Sequence, residues 1–302
     1  MNKSFTLIEI LVVIVVIGIL SSFILVGMSS ITNSANITKS QAFVNSMDNS
    51  LLLGRVSQWK LDNASGASAS DSWLGNTGTL TNFANTTAGY GDTTSSGWMS
   101  QSNCVSGTCL NFDGSNDYVL VNAADSLKNT TFSFSCWIKP RTGIITSGHI
   151  VRRGADYYFR IVDNYTIRGF VWAVTHAESQ STNVVALNIW QNVVMIYNNT
   201  GDRKIHIYLN GLEVSYSSQI AAIGTMVNSN VSTFIGIDDS LSAGHWFPGS
   251  IDDVRIYNQV LSSSEINQNY FLGINNLFKN NGISSKEYDR SLVQLKNNLA
   301  NN

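Results

Sequence analysis

The groups able to do chemistry in this chain are few and scattered. Its only glutamates are Glu9, Glu178, Glu213, Glu265 and Glu287. Glycoside hydrolysis needs two carboxylates about 5 to 10 Å apart across the scissile bond, and no pair here suggests itself. The histidines, His149, His176, His206 and His245, lack metal-ligand spacing. Cys104 and Cys109 bracket a short Val-Ser-Gly-Thr loop with no histidine or further cysteine near, a pattern that favours a structural disulfide over a metal site. Cys136 sits within an alternating apolar run and reads as a small buried hydrophobe, which leaves no thiol free for nucleophilic catalysis. These residues argue for a binding protein and against an enzyme. A sugar presents a C–H face to an aromatic ring, so Trp172 or Trp246 could serve such binding, with Asp156, Arg160 and His245 as polar candidates. Most of the 7 tryptophans nevertheless read as packing residues, and no single ligand contact stands out.

Those side chains must be positioned by a folded chain. At 302 residues, 43% hydrophobic and 13% charged, the sequence can bury a core and carry appendages. A net charge of -2 and the absence of a Lys/Arg cluster beyond Arg152-Arg153 exclude a broad nucleic-acid footprint.

From Ile10 to Thr38 no residue is charged, and Ile10 to Met28 is almost wholly apolar. As a helix that apolar stretch spans roughly 28 Å, close to the bilayer hydrocarbon thickness of about 30 Å. A cleaved signal peptide and a plain signal anchor compete as readings; the long apolar region, ended by no clear small-x-small cleavage site, weighs against the first, and hydropathy alone leaves the second open. The string Lys3-Ser4-Phe5-Thr6-Leu7-Ile8-Glu9-Ile10-Leu11 narrows the choice, because it resembles the class III signal of type IV pilins and the pseudopilins of type II secretion. That resemblance implies a leader, residues 1–4, cut by a prepilin peptidase between Ser4 and Phe5, with methylation of Phe5. The family usually has Gly where this chain has Ser4. Glu9 would then pair, during assembly, with the new N-terminus of a neighbouring pilin subunit, since a carboxylate beside an apolar helix is costly unless paired. Val44, Met47 and Leu51 continue helical spacing, so the expected stalk helix runs over 5–55.

Beyond Val56 the pattern changes to period two. Phe132, Phe134, Cys136 and Ile138 alternate with Ser133, Ser135, Trp137 and Lys139, and Ile205, Ile207 and Leu209 repeat the theme before an Asn210-Gly211 hairpin turn. Many short runs of this kind predict an antiparallel sandwich. Leu110-Asn-Phe-Asp-Gly-Ser-Asn-Asp-Tyr118, Phe132 to Pro140, Trp190-Gln-Asn-Val-Val, Ile207-Tyr-Leu-Asn-Gly211 and Gly249 to Tyr257 occur in the order seen in laminin-G-like, concanavalin A-like jelly rolls, which this region resembles. The expected head is 56–270. In such domains calcium often sits near the rim, and Trp59-Lys-Leu-Asp62 with Asp71 to Leu80 is similar to the family's early acidic loop. Asp252 alternates with Val254 and Ile256 and is expected to point inward, where a buried carboxylate needs a partner. Asp62, Asp71, Asn76 and Asp252 are therefore the expected ligands of a structural Ca2+, against the plainer alternative that they cap turns.

Residues 271–302 predict a short helical hairpin, its second helix capped at Ser284 or Ser285 with Glu287 in the first turn. The whole reads as mainly β: a long N-terminal helix, a jelly-roll head and a C-terminal helical hairpin. The expected protein is a type IV pilin-like filament subunit, minor or at the tip. It would be held in inner-membrane lipid before assembly, then displayed at the cell surface, where its head binds a glycan or other surface ligand. The alternative is a pseudopilin serving a secretion system.

Overall fold

A computed structural model describes residues 54–87, 95–144 and 146–300, with side chains to residue 296. The expected leader and stalk, including Ser4, Phe5 and Glu9, lie outside the described residues.

The head is a sandwich of two antiparallel sheets. The eight-stranded sheet runs β14 (Leu212–Glu213), β13 (Ile205–Leu209), β12 (Gln191–Tyr197), β7 (Phe132–Pro140), β17 (Pro248–Tyr257), β5 (Cys109–Asp113) and β4 (Gly97–Met99), with β1 (Arg55–Trp59) also paired to β17. The nine-stranded sheet runs β15 (Tyr216–Ile220), β11 (Ala177–Val184), β10 (Thr166–Val171), β9 (Tyr157–Val162), β8 (Ser147–Arg153), β16 (Thr233–Ile235), β6 (Tyr118–Val121), β3 (Gly78–Thr81) and β2 (Ser68–Ala69).

The alternation along β7 does what its period implies. Phe132, Phe134, Cys136 and Ile138 enter the main core, where Phe132 stacks on Tyr157 with ring centroids 4.4 Å apart and Phe134 meets Phe159 edge-on at 6.1 Å. These aromatic pairs join the two sheets. Asn210 and Gly211 take φ of 53° and 82°, as a tight turn between β13 and β14 requires.

Two helices follow. α1 (Ser263–Lys279) begins earlier than the expected 271, because Ser262 and Glu265 form a capping box. The Ser262 hydroxyl accepts from the Glu265 amide while the Glu265 carboxylate accepts from the Ser262 amide at 2.7 Å. α2 (Ser285–Ala300) is capped the same way, with Ser284 and Glu287. Buried residues of the first helix lie over the outward face of the eight-stranded sheet. Tyr270, Ile274 and Leu277 cluster with Trp137, and Ile266 clusters with Val194 and Ile196. Gly273 makes that approach feasible, since a β-carbon there would lie 2.1 Å from Trp137 Cζ2.

Candidate functional site

The expected calcium ligands separate into two sets. Asp71 is a turn organiser: Oδ1 accepts from the Gln58 and Trp73 amides at 2.8 and 2.9 Å, and Oδ2 accepts from the Leu74 and Asn76 amides at 3.2 and 2.9 Å. Asn76 joins this set by donating to Ser57 Oγ at 2.7 Å and accepting from Ser126 Oγ at 3.0 Å. Asp62 and Asp252 instead hold the loop closed by the Cys104–Cys109 disulfide. Asp252 Oδ2 accepts from the Val105 and Ser106 amides at 2.9 and 3.1 Å, and Asp62 Oδ1 accepts from the Thr108 amide at 2.8 Å.

Asp252 does not face the main core with Val254 and Ile256. A bulge between Asp252 and Arg255, with Asp253 at φ 52°, shifts the alternation by one residue. Asp252 therefore lies directly opposite Trp137, on the helix-covered side, and is fully buried. Burial first, then the Asp253 charge, raises its carboxyl well above the usual range. Its Oδ1 has no hydrogen-bond partner.

A second arrangement occupies the outward face of the nine-stranded sheet, and sequence reasoning found it only in part. Pairing registers lay two rows of side chains across the strands. One row runs Leu120, Phe234, Arg152, Tyr158, Phe170, Glu178, Ile220; the other runs His149, Arg160, Arg168, Gln180, Ser218. A bulge at Ile150 lets His149 and Arg152 share this face although three positions separate them.

The first row is aromatic at its centre. Tyr158 stacks on Phe170 at 5.1 Å, Phe170 meets Trp172 at 4.5 Å, and His176 stacks on Phe170 at 4.6 Å. Arg152 lies over Trp172 at 4.9 Å and Arg160 over Tyr158 at 4.6 Å, both within cation–π range. Phe170 and Trp172 remain half-buried, and His176 is exposed. Outward apolar residues alternating with cations are the overlooked signal. Tyr158 and Arg160 share one parity on β9, as Arg168 and Phe170 do on β10, so both faces of these strands carry large side chains.

At one end of the second row, His149, Asp238 and His245 bring one donor atom each within 4.8 Å of one another. The loop before β17 places them, because the His149 amide donates to the His245 carbonyl at 3.1 Å. Nitrogen and carboxylate donors in this number could take a transition metal. In the structure His245 Nδ1 donates to Asp238 Oδ2, and Ser240 Oγ donates to Asp238 Oδ1 at 2.8 Å. Burial first, and the Arg160 charge second, hold His149 well below the ordinary imidazole range, so its ring is neutral near pH 7.

Of the polar candidates named from sequence, Arg160 and His245 belong to this face. Asp156 does not. It is buried in an ion pair with Arg153 at 3.2 Å and accepts from the Ser229 amide at 3.0 Å, a structural link. Trp246 packs beside Tyr118 at 6.3 Å, and Tyr118 in turn meets Phe234 of the first row at 6.1 Å, so Trp246 lies toward the β6–β16 end of this face.

Residues 113–267, about half the chain, match the profile of the Concanavalin A-like lectin/glucanases superfamily. The chain belongs to that superfamily. Residues 1–25 match the prokaryotic N-terminal methylation motif, the signal of type IV pilins. No curated protein matches the sequence. Among solved structures, this superfamily member is similar to domain 4 of AbnA, a GH43 extracellular arabinanase from Geobacillus stearothermophilus in complex with arabinotriose. The identity is 17% and the TM-score 0.52, over 70% of this chain and 96% of that one. It is also similar to the botulinum neurotoxin serotype D ligand-binding domain in complex with N-acetylneuraminic acid, at 15% identity and TM-score 0.53, over 73% of this chain and 51% of that one. The binding domain of Paraclostridial Mosquitocidal Protein 1 gives 14% and 0.55, over 74% and 53%. The chain thus spans nearly all of the first and about half of the other two.

Proposed function

We propose that this protein is a pilin-like filament subunit, minor or at the tip, whose concanavalin A-like head binds carbohydrate for adhesion. The observation that carries the reading is the Tyr158–Phe170–Trp172 cluster on the nine-stranded sheet, flanked by Arg152, Arg160 and Arg168. The half-buried rings of Phe170 and Trp172 supply a platform for sugar C–H faces, with the buried Tyr158 behind them, and the surrounding polar groups bond hydroxyls. Two of the similar structures are complexes with an arabinose oligosaccharide and with a sialic acid, which supports the ligand class. The methylation motif supports export, processing by a prepilin peptidase and assembly with other pilins.

The head acts by binding and not by catalysis in this reading. Of the described carboxylates on this face, Glu178 is tied to Arg168 at 2.5 Å, Asp239 to Arg152 at 2.7 Å and Asp238 to His245, so all three are held in ion pairs or hydrogen bonds. Structural calcium, in the same reading, belongs with Asp62 and Asp252. Burial first, then the Asp253 and Asp62 charges, raise the carboxyl of Asp252, and a hard cation with oxygen ligands relieves such crowding.

The test has two arms. Full-length chain in detergent micelles, applied to a carbohydrate array, should bind a defined subset of glycans, and silence across the array counts against the head's role. Deleting the gene should reduce surface attachment and leave protein secretion intact. Loss of secretion with normal attachment favours the pseudopilin alternative.

A further inference from the structure

On the open sheet face three guanidinium groups stand close together, and they are not equally neutralised. Arg152 pairs with Asp239 at 2.7 Å and Arg168 with Glu178 at 2.5 Å. Arg160 has no ion pair among the described residues. Its Nη1 reaches only Ser147 Oγ at 3.4 Å and His149 Nε2 at 3.5 Å, both at the limit of hydrogen bonding, and its Nε is buried without a partner.

The register makes this arrangement costly. Arg160 lies directly opposite Arg168 across the β9–β10 pair, and like charges in that relation destabilise a sheet. On its other side Arg160 faces His149, a buried neutral ring that offers no negative charge. A half-buried cation without an anion is unfavourable by itself. Burial lowers the basicity of Arg160; Tyr158 and Glu178 offset part of this, while Arg168 and Arg152 add to it. Inside the head this placement is returned only by the cation–π contact with Tyr158 and two long hydrogen bonds, none of which supplies a paired anion; a bound anion would.

We infer that the open face selects an acidic sugar, and that Arg160 receives its carboxylate. A guanidinium matches a carboxylate in plane and spacing, with two parallel N–H donors. Tyr158 lies under the guanidinium, and Phe170 and Trp172 continue the ring surface on which the sugar body rests. The inference rests on the proposed carbohydrate-binding reading of this face and names the ligand class within it.

The experiment uses full-length chain in detergent micelles. Its array carries one set of oligosaccharide cores in three forms: neutral, ended by a carboxylated sugar, and ended by a sulfated sugar. Wild type should bind the carboxylated form about tenfold or more above the neutral form, the size expected for a hydrogen bond to a charged group. Arg160→Gln should bring carboxylated binding down to the neutral level, and Arg160→Lys should restore part of the preference. Equal binding of neutral and carboxylated forms by wild type, or an undiminished preference in Arg160→Gln, would overturn the inference and leave carbohydrate binding standing. Preference for the sulfated form would overturn the choice of carboxylate. Absence of binding to every form, with the thermal transition of the head intact, would remove the reading of the face and this inference together.

Discussion

The outward faces of the two sheets carry comparable side chains that end in different surroundings. On the eight-stranded sheet, Trp137, Val194 and Ile196 are covered by α1, and Trp137 stacks on Tyr270 at 5.7 Å. On the nine-stranded sheet, Phe170 and Trp172 are only half-buried, and their neighbours are arginines and histidines. The first face is completed by the chain itself: a disulfide loop, two carboxylates and a helix seal it. The second has its polar groups in place and its rings accessible. An aromatic face that the chain covers serves stability, whereas one that it leaves accessible among cations is available to a ligand.

The largest expected effect tests the covered face. Trp137→Ala removes a buried ring, and should destabilise the head by about 3–5 kcal/mol in denaturant unfolding. Gly273→Ala forces a β-carbon against Trp137 and should cost about 1–3 kcal/mol by overpacking. Neither substitution should alter the pattern of glycans recognised by folded protein. If either shifts that pattern at unchanged foldedness, the two faces are coupled and the contrast is too simple.

Asp252 sharpens the comparison further. Asp252→Ala deprives the Val105 and Ser106 amides of their acceptor, and should cost about 1–3 kcal/mol. Calcium should raise the thermal midpoint of wild type and leave that of Asp252→Asn unmoved. An unchanged wild-type midpoint on calcium addition and chelation would assign Asp252 to the loop amides alone.

On the open face, Trp172→Ala should change stability by less than the covered-face variants. It should weaken glycan binding several-fold, the scale of one aromatic contact of about 0.5–1.5 kcal/mol. The smallest effect lies toward the edge of the covered face, where His206 on β13 pairs opposite Ile196. Hydrogen bonding to Glu213, and then to Asp202, raises His206 to about 9. The raised value makes its contribution complete below the unfolded imidazole pKa of about 6.5, and the contribution is lost as pH rises through about 9. His206→Gln should therefore flatten a slight decline in thermal midpoint between pH 7 and 10, and a decline that persists unchanged would refute the assignment.

The fold was readable from sequence where one period held without interruption. β7 alternates cleanly, so its core residues could be named in advance, and the Asn210-Gly211 turn identified its hairpin. Bulges defeated the same logic. At Ile150 and near Asp253 one extra residue reverses which side chains face outward, so Asp252 was placed on the wrong side and the kinship of His149 with Arg152 was invisible. The start of α1 was legible in Ser262-x-x-Glu265, a capping-box signature that falls inside the span expected for the head. Arg160 and Trp172 were named as candidates, but the opposition of Arg160 to Arg168 required the register of β9 against β10.

The contrast between the faces is tested most directly by comparing two substitutions on one carbohydrate array. Full-length wild type, Trp172→Ala on the open sheet and Phe278→Ala on α1, where Phe278 is exposed and stacks on Tyr288 at 4.5 Å, would be applied at equal folded concentration. Trp172→Ala should lose most of the glycan signal while Phe278→Ala retains it. Retention by Trp172→Ala together with loss in Phe278→Ala would move the binding surface to the helices.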